Sequence, residues 1–153
     1  MATLMPRSRV LPPVLIGLGA VLVAGCAAPV AVTPVADAPR ECLELRTQLP
    51  LEVSGQRIRR TSPTSPATDA WGDPAIVLRC GVPQPASYRP DSELVGVDGV
   101  DWYLEPVAGG YRFTTFDRVT NVEVTVPSAY APEVNPLVDL APAIKATVPQ
   151  VVL

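Results

Sequence analysis

The chain has 153 residues, 48% of them hydrophobic and 18% charged, and a formal net charge of −3 at pH 7. This length suits one domain with one core, and the acidic balance disfavours nucleic acid as a partner, because nucleic-acid binding requires a basic surface. The chain contains no histidine, which excludes the usual histidine-containing catalytic triads and zinc–histidine sites.

The first predicted element is a signal peptide over residues 1–25. Arg7 and Arg9 form a basic start, and residues 10–23 form an apolar run that leads to Val-Ala-Gly-Cys, ending at Cys26. The run is shorter than the about 20 residues that a membrane-spanning helix requires. The pattern resembles the lipobox of Gram-positive lipoproteins and predicts cleavage before Cys26 and attachment of a diacylglyceryl group to its thiol. An uncleaved anchor and an ordinary signal peptide are the alternatives.

Lipidation of Cys26 predicts a location on the extracellular face of the cytoplasmic membrane. Cleavage removes Arg7 and Arg9 and changes the net charge from −3 to −5. Residues 26–39 combine the lipidated cysteine with prolines and small residues, which predicts an extended tether with a reach of at most about 40 Å. A single folded domain is expected over residues 40–153.

The other two cysteines are predicted to pair. With Cys26 lipidated, Cys42 and Cys80 remain, and paired thiols persist as disulfides in an oxidising compartment. A bond between them is worth about 4 kcal/mol in the chain-entropy model. The alternative is a reactive thiol at Cys80, which the lack of a histidine base disfavours.

The domain is predicted to begin and end with helices. Cys42, Leu45 and Leu49 share one face of a first helix, which Pro50 ends. Asn135 is a predicted helix cap with Pro136 at the first position, and Pro142 is expected to kink or split this second helix. The apolar positions of the second helix are Leu137, Leu140, Ile144 and Val148.

The segments between the helices predict strands. Residues 75–81 form a short apolar run typical of a buried central strand, with Cys80 near its end. Residues 94–104, 111–116 and 119–126 alternate apolar and polar side chains, and turns are expected at Asp98-Gly99 and Ala108-Gly109-Gly110. The predicted fold is therefore a small α+β domain with a mostly antiparallel sheet of three to five strands, covered by an N-terminal and a C-terminal helix.

Three segments carry a resemblance to a known family. They are Trp-Gly-Asp-Pro-Ala-Ile-Val-Leu-Arg-Cys-Gly at residues 71–81, Val-Asp-Gly-Val-Asp-Trp at residues 97–102, and Val-Glu-Val-Thr-Val-Pro at residues 122–127. Together they resemble the actinobacterial domain of unknown function 3515 over about residues 40–150. The resemblance implies a secreted or lipid-anchored protein, and it supplies no functional residues because the family has no assigned activity.

Two tryptophans and three arginines are the candidate binding residues. Trp71 and Trp102 each stand beside an acidic residue and a turn, which is compatible with core packing or with an aromatic patch for a partner or a glycan. Arg57, Arg59 and Arg60 form a basic cluster. That cluster is either a charged strand edge or a patch for an acidic wall polymer or protein.

Other patterns have weaker functional interpretations. Asp98 and Asp101 formally permit two-carboxylate glycoside chemistry or a calcium site, but Asp98-Gly99 is an ordinary turn and a dense acidic loop is lacking. The Ser/Thr-Pro segment of residues 61–68 is a loop that could accept O-linked sugar.

We therefore expect no catalytic residue, no metal and no cofactor. The favoured hypothesis is a non-enzymatic binding or scaffolding domain, anchored to the membrane by lipid, with an envelope protein or the cell wall as partner. The alternative is a domain that binds a cell-wall glycan or a small ligand, and an enzyme is the least favoured.

Overall fold

The computed structural model describes residues 27–151, so the predicted signal peptide and Cys26 lie outside the described residues. The described chain contains α1 (Arg40–Gln48), α2 (Asn135–Thr147), a short 3-10 helix (Ser128–Tyr130) and ten strands. No helix within this range is long and apolar enough to cross a membrane. The strands are β1 (Val30–Ala31), β2 (Glu52–Val53), β3 (Gln56–Arg59), β4 (Thr61–Ser62), β5 (Thr68–Trp71), β6 (Ile76–Cys80), β7 (Leu94–Val97), β8 (Val100–Val107), β9 (Gly110–Thr115) and β10 (Val122–Pro127).

Eight strands form one antiparallel sheet in the order β2-β3-β5-β6-β10-β9-β8-β7. The sheet consists of two four-stranded meanders, which meet where β6 pairs with β10 and Leu78 lies opposite Val124. The connection of residues 81–93, here called the crossover loop, runs from the centre of the sheet to its far edge at β7. The prediction of an α+β domain with an antiparallel sheet is confirmed.

The predicted number of three to five strands is wrong. The strands of this sheet that were missed, β2 and β5, are two and four residues long, too short to show a period. All four residues of β5 are buried, so this strand lacks the alternation of apolar and polar residues that identifies a half-buried strand. The clearly alternating β10 and the turns at Asp98-Gly99 and Ala108-Gly109 are found where the sequence predicts them.

Both helices pack on the same face of the sheet and contact each other. As predicted, α1 buries Cys42 and Leu45 and ends before Pro50. Two details of α2 differ from the prediction. Asn135 is the first helical residue and makes no side-chain cap, and the helix continues through Pro142 to Thr147. The buried Leu140, Ala141, Ala143 and Ile144 on both sides of the proline supply packing that offsets its missing hydrogen bond.

The core lies between the helices and the sheet. Its largest fully buried side chains include Trp71, Trp102 and Phe113. The predicted disulfide joins Cys42 of α1 to Cys80 of β6, with an S–S distance of 2.02 Å and a Cα–Cα distance of 5.6 Å. This bond ties the first helix to the centre of the sheet. It also excludes the alternative of a reactive thiol at Cys80.

The segment before α1 packs on the domain. Val30 and Ala31 pair in parallel with Thr61 and Ser62, in a small sheet of β1 and β4, and Val32 is buried. These residues lie against the domain, within the segment of residues 26–39 that the sequence assigns to an extended tether. A pairing partner some 30 residues away leaves no local pattern in either strand.

Candidate functional site

The two tryptophans are not part of any surface. Trp71 on β5 and Trp102 on β8 each have 0% of their surface exposed, and the indole nitrogen of Trp71 donates to the carbonyl of Pro50 at 3.0 Å. The aromatic binding patch is therefore a wrong interpretation, and core packing is the correct one. Both rings lie on the sheet face that the helices cover, where burial of large aromatic side chains contributes most.

The three arginines of the basic cluster have different surroundings. Arg57 is exposed and lies 3.5 Å from the carboxylate of Glu52. The half-buried Arg59 donates one guanidinium N–H to the carbonyl of Gly72 and another to the carbonyl of Ala28, both at 2.8 Å. Arg60 is exposed. Arg59 thus holds the N-terminal segment in place, whereas Arg57 and Arg60 remain at the surface.

Arg59 and Arg60 also line a pocket at one edge of the sheet, here called the edge pocket. It has a volume of about 290 Å³ and lies where α1 ends and leaves the β3–β5 edge uncovered. Helix α1 contributes a guanidinium, β3 an apolar wall, and β5 a carboxyl group. The lining residues are Arg46, Ile58, Arg59, Arg60, Thr61, Thr64 and Asp69.

Asp69 is the unusual residue of the edge pocket. It lies opposite Leu78 in the β5–β6 pairing, which directs it toward the helix-covered face, and only 6% of its surface is exposed. Burial raises the pKa of this carboxyl from 3.8 to about 6, and the guanidinium of Arg46, 3.8 Å away, partly opposes that increase. A buried carboxyl with a raised pKa in a pocket is typical of a functional site, although buried structural ion pairs also produce it.

The edge pocket offers donors and acceptors together. The carboxylate of Asp69 accepts hydrogen bonds, the guanidinium groups donate them, and the hydroxyl groups of Thr61 and Thr64 can do either. The Thr61 hydroxyl already lies 3.2 Å from the hydroxyl of Thr68. Such a site can hold a small polar ligand that carries neighbouring hydroxyl or amide groups.

Sequence reasoning did not find Asp69 or Arg46. Asp69 stands two residues before Trp71, just outside the segment of residues 71–81 that resembles the known family. The strand around it was not predicted, so the direction of its side chain could not be inferred. Arg46 lies on the first predicted helix but off the face shared by Cys42, Leu45 and Leu49, so the sequence does not direct it toward Asp69. The sequence offers no clear signal for Asp69, because the burial of residues 67–71 is visible only in the structure.

A larger depression lies on the sheet face opposite the helices, under the crossover loop. This open-face groove has a volume of about 520 Å³. Its floor carries Arg79 opposite Glu123, with a hydrogen bond of 3.0 Å, and Arg112 opposite Glu105. The groove contains two guanidinium and two carboxylate groups, and Glu123 also lies 3.6 Å from Arg112. Because these charges neutralise one another, the groove is a weaker candidate than the edge pocket.

The acidic pair considered for catalysis or calcium binding has no such environment. Asp98 lies in the β7–β8 turn and pairs with Lys145 at 3.2 Å, and Asp101 is exposed. Across residues 27–151, no group of three or more histidine, cysteine, aspartate or glutamate side chains is arranged to hold a metal ion.

Comparison with known proteins identifies one family and no characterised relative. A family model described as "Protein of unknown function (DUF3515)" matches residues 11–153. No curated protein and no solved structure gave a significant match.

Proposed function

The chain belongs to the DUF3515 family of proteins of unknown function, and we propose that it is a lipid-anchored, non-enzymatic binding domain on the extracellular face of the cytoplasmic membrane. The edge pocket is the observation that carries the binding role. The lipobox that ends at Cys26 is the argument for the anchor.

The disulfide supports a location outside the cytoplasm. A covalent link between Cys42 and Cys80 in the core is the kind of structural bond that persists in oxidising compartments and is rare in the cytosol. The lipobox and the disulfide are independent features of the sequence, and both favour export.

The composition of the edge pocket favours binding over hydrolysis. Its lining holds a single carboxyl group, that of Asp69, beside three guanidinium groups. Hydrolysis of a glycosidic bond by the common mechanism requires two carboxyl groups on either side of the bond. One carboxylate surrounded by donors suits recognition of a ligand that is released unchanged.

The anchor is tested by metabolic labelling with a clickable fatty acid in living cells. The wild-type protein should incorporate the label, Cys26→Ser should not, and the matched control Ala36→Ser, at an exposed residue, should label like wild type. Equal labelling of Cys26→Ser and wild type would contradict lipidation of Cys26.

The binding role is tested by crosslinking in living cells. A photo-reactive amino acid is placed at Thr64, on the wall of the edge pocket, and in a separate variant at Glu93, an exposed position before β7. We expect an adduct from position 64 that is absent from position 93 and is lost when Asp69→Asn is added. Identical adducts from both positions, insensitive to Asp69→Asn, would rule out the edge pocket as the binding site.

A second candidate function is binding of a cell-wall glycan, because neighbouring sugar hydroxyl groups match the donors and acceptors around Asp69. It predicts that isolated cell wall retains the wild-type protein, that Asp69→Asn weakens retention, and that Asp91→Asn, at an exposed residue of the crossover loop, leaves it unchanged. Wall binding that is the same in all three proteins would contradict this candidate.

A further inference from the structure

The docked N-terminal segment limits how far the domain can stand from a membrane. The carbonyl of Ala28 accepts a hydrogen bond from Arg59 at 2.8 Å, and the amide of Val30 donates to the carbonyl of Arg60 at 2.8 Å. Only Ala27 separates Ala28 from Cys26. Two residues of extended chain span about 7 Å, so a lipid on Cys26 holds this edge of the sheet near the membrane surface.

The same edge exposes apolar side chains. Leu51, just before β2, has 73% of its surface exposed, and Ile58 on β3 has 40% exposed. The two residues share a shallow depression with Glu52 and Arg57, and the amide of Ile58 donates to the carbonyl of Leu51 at 2.8 Å. Leu51 is the most exposed of the large hydrophobic residues within the described part of the chain.

Basic side chains flank this apolar pair. Arg57 and Arg60 are exposed and Arg46 is 44% exposed at its side chain. The acidic groups nearby are the exposed Glu52, which pairs with Arg57, the exposed Asp73, 3.7 Å from the half-buried Arg59, and the buried Asp69. With Arg59 included, the edge carries four basic and three acidic side chains, although the chain as a whole is acidic with a net charge of −3.

We propose that Leu51, Ile58, Arg57 and Arg60 form a membrane-contact surface, which lies against the phospholipid headgroups beside the anchored Cys26. Because Ile58 and Arg60 also line the edge pocket, this orientation places the pocket at the level of the headgroups and is incompatible with binding of a cell-wall glycan there. This inference rests on the proposed lipidation. Apolar side chains that enter the headgroup region, with arginines that meet anionic lipid, are the combination that binds peripheral proteins to membranes. The bilayer is the occupant that we infer, because Ala28, two residues from the proposed lipid site at Cys26, is hydrogen-bonded to Arg59 beside this surface. The small excess of basic side chains at this edge favours anionic lipid.

The experiment uses the full lipidated protein, purified from membranes and reconstituted into vesicles that contain phosphatidylglycerol. An environment-sensitive fluorophore is attached at Leu51→Cys in the oxidised protein and, in a separate preparation, at Glu93→Cys. Glu93 is the matched control, because it is exposed and precedes β7 at the opposite edge of the sheet. We expect a blue shift and quenching by nitroxide-bearing lipid at position 51, and neither at position 93.

The contribution of the arginines is measured in the same system. Arg57→Gln combined with Arg60→Gln should lower the ratio of membrane-docked to undocked protein about 30-fold, because each arginine near an anionic surface contributes about 1 kcal/mol. The control with the same change in net charge is Arg89→Gln combined with Lys145→Gln. Both of its residues are exposed and lie away from the edge, and the control should leave the blue shift at position 51 unchanged.

The outcomes distinguish a failure of the membrane-contact surface from a failure of the proposed lipid anchor. Two labels that both report water while the protein floats with the vesicles would overturn the contact surface and leave the anchor intact. Two labels that both report lipid would also overturn it, because no particular edge would then face the bilayer. A protein that does not float with the vesicles would contradict the anchor and the surface together.

Discussion

The two faces of the eight-stranded sheet are stabilised in different ways. The helix-covered face buries Trp102 and Phe113 completely and is joined to α1 through Cys42. The open face carries paired charges, such as Arg79 and Glu123, under the crossover loop. Burial of apolar surface contributes a large stabilising free energy that does not depend on the orientation of the contacting groups. Paired charges contribute little net free energy, because their desolvation offsets most of their attraction. The difference indicates that the helix-covered face supplies most of the folding free energy and that substitutions on the open face lower the stability only slightly.

The edge pocket lies at the border of the helix-covered face of the sheet. Asp69 faces the helix-covered side of the sheet, and the guanidinium of Arg46, in the last turn of α1, lies 3.8 Å from its carboxylate. The carboxyl group is therefore removed from water by its surroundings and still lines a pocket. The boundary of the helix layer creates the site that we propose for the ligand.

Neighbouring residues on β8 test the contrast between the faces directly. Trp102→Ala should lower the free energy of unfolding by about 3–5 kcal/mol, the usual cost of removing a buried aromatic side chain. Tyr103 points to the opposite face, where it is half-buried and meets Tyr88 at a ring distance of 5.4 Å. Tyr103→Ala should cost about 1–2 kcal/mol. Urea denaturation of both variants measures the difference, and equal losses would contradict the assignment of stability to the helix-covered face.

The disulfide should have the next largest effect. Cys42→Ala combined with Cys80→Ala should destabilise the domain by about 4 kcal/mol in the chain-entropy model, for cysteines separated by 38 residues. Thermal unfolding with and without reductant supplies the control, since reductant should lower the melting temperature of wild type and leave the double variant unchanged. A wild-type protein that titrates with two free thiols would argue against the bond.

Asp69 should make the free energy of unfolding of the domain depend on pH. Its pKa is about 6 in the folded protein and 3.8 when unperturbed, so the folded state binds the proton more tightly. The stabilisation is complete below pH 3.8 and is lost as the pH rises through about 6. A shift of this size corresponds to at most about 3 kcal/mol.

Asp69→Asn carries no titrating group at this position and tests the pH dependence. The free energy of unfolding of wild type should fall relative to Asp69→Asn between pH 4 and pH 8, as measured by urea denaturation at several pH values. The exposed Asp91→Asn should follow wild type throughout. A constant difference between wild type and Asp69→Asn across this range would show that the pKa of Asp69 is not raised.

The smallest effect is expected on the open face. Glu123 is 9% exposed and lies 3.0 Å from Arg79 and 3.6 Å from Arg112. Because both arginines remain partly in water, Glu123→Gln should cost about 1–2 kcal/mol, below the loss that removal of one partner causes in a fully buried pair. Glu93→Gln, at an exposed position, should cost almost nothing in the same chemical denaturation. A loss as large as that of Trp102→Ala would remove the distinction between the two faces.

The sequence predicted those elements in which the spacing of apolar residues matches the period of a helix or a strand. The alternation of Val122, Val124 and Val126 identifies β10, and the spacing of Cys42 and Leu45 identifies α1, because half-buried elements show a period. Strand β5 has no exposed side and no alternation of apolar and polar residues, so it remained undetected, and Asp69 with it. The pattern around Trp71 and Trp102 left two interpretations open, since the burial of a ring depends on strands that are distant in sequence. The pairing of β1 with β4 likewise has no local signature.

If Cys26 carries the proposed lipid, the disulfide determines how a mechanical force passes from the membrane into the protein. A pull on Cys26 reaches the contacts of residues 28–33 first, which are a few hydrogen bonds beside a two-residue strand pair. Once these have separated, residues up to Cys42 can extend by about 55 Å in total. At that point the covalent bond transmits the force to Cys80 on β6, in the middle of the sheet. The chain before Cys42, including the first residues of α1, would then extend to a fixed maximum length, and the sheet behind the disulfide would remain folded.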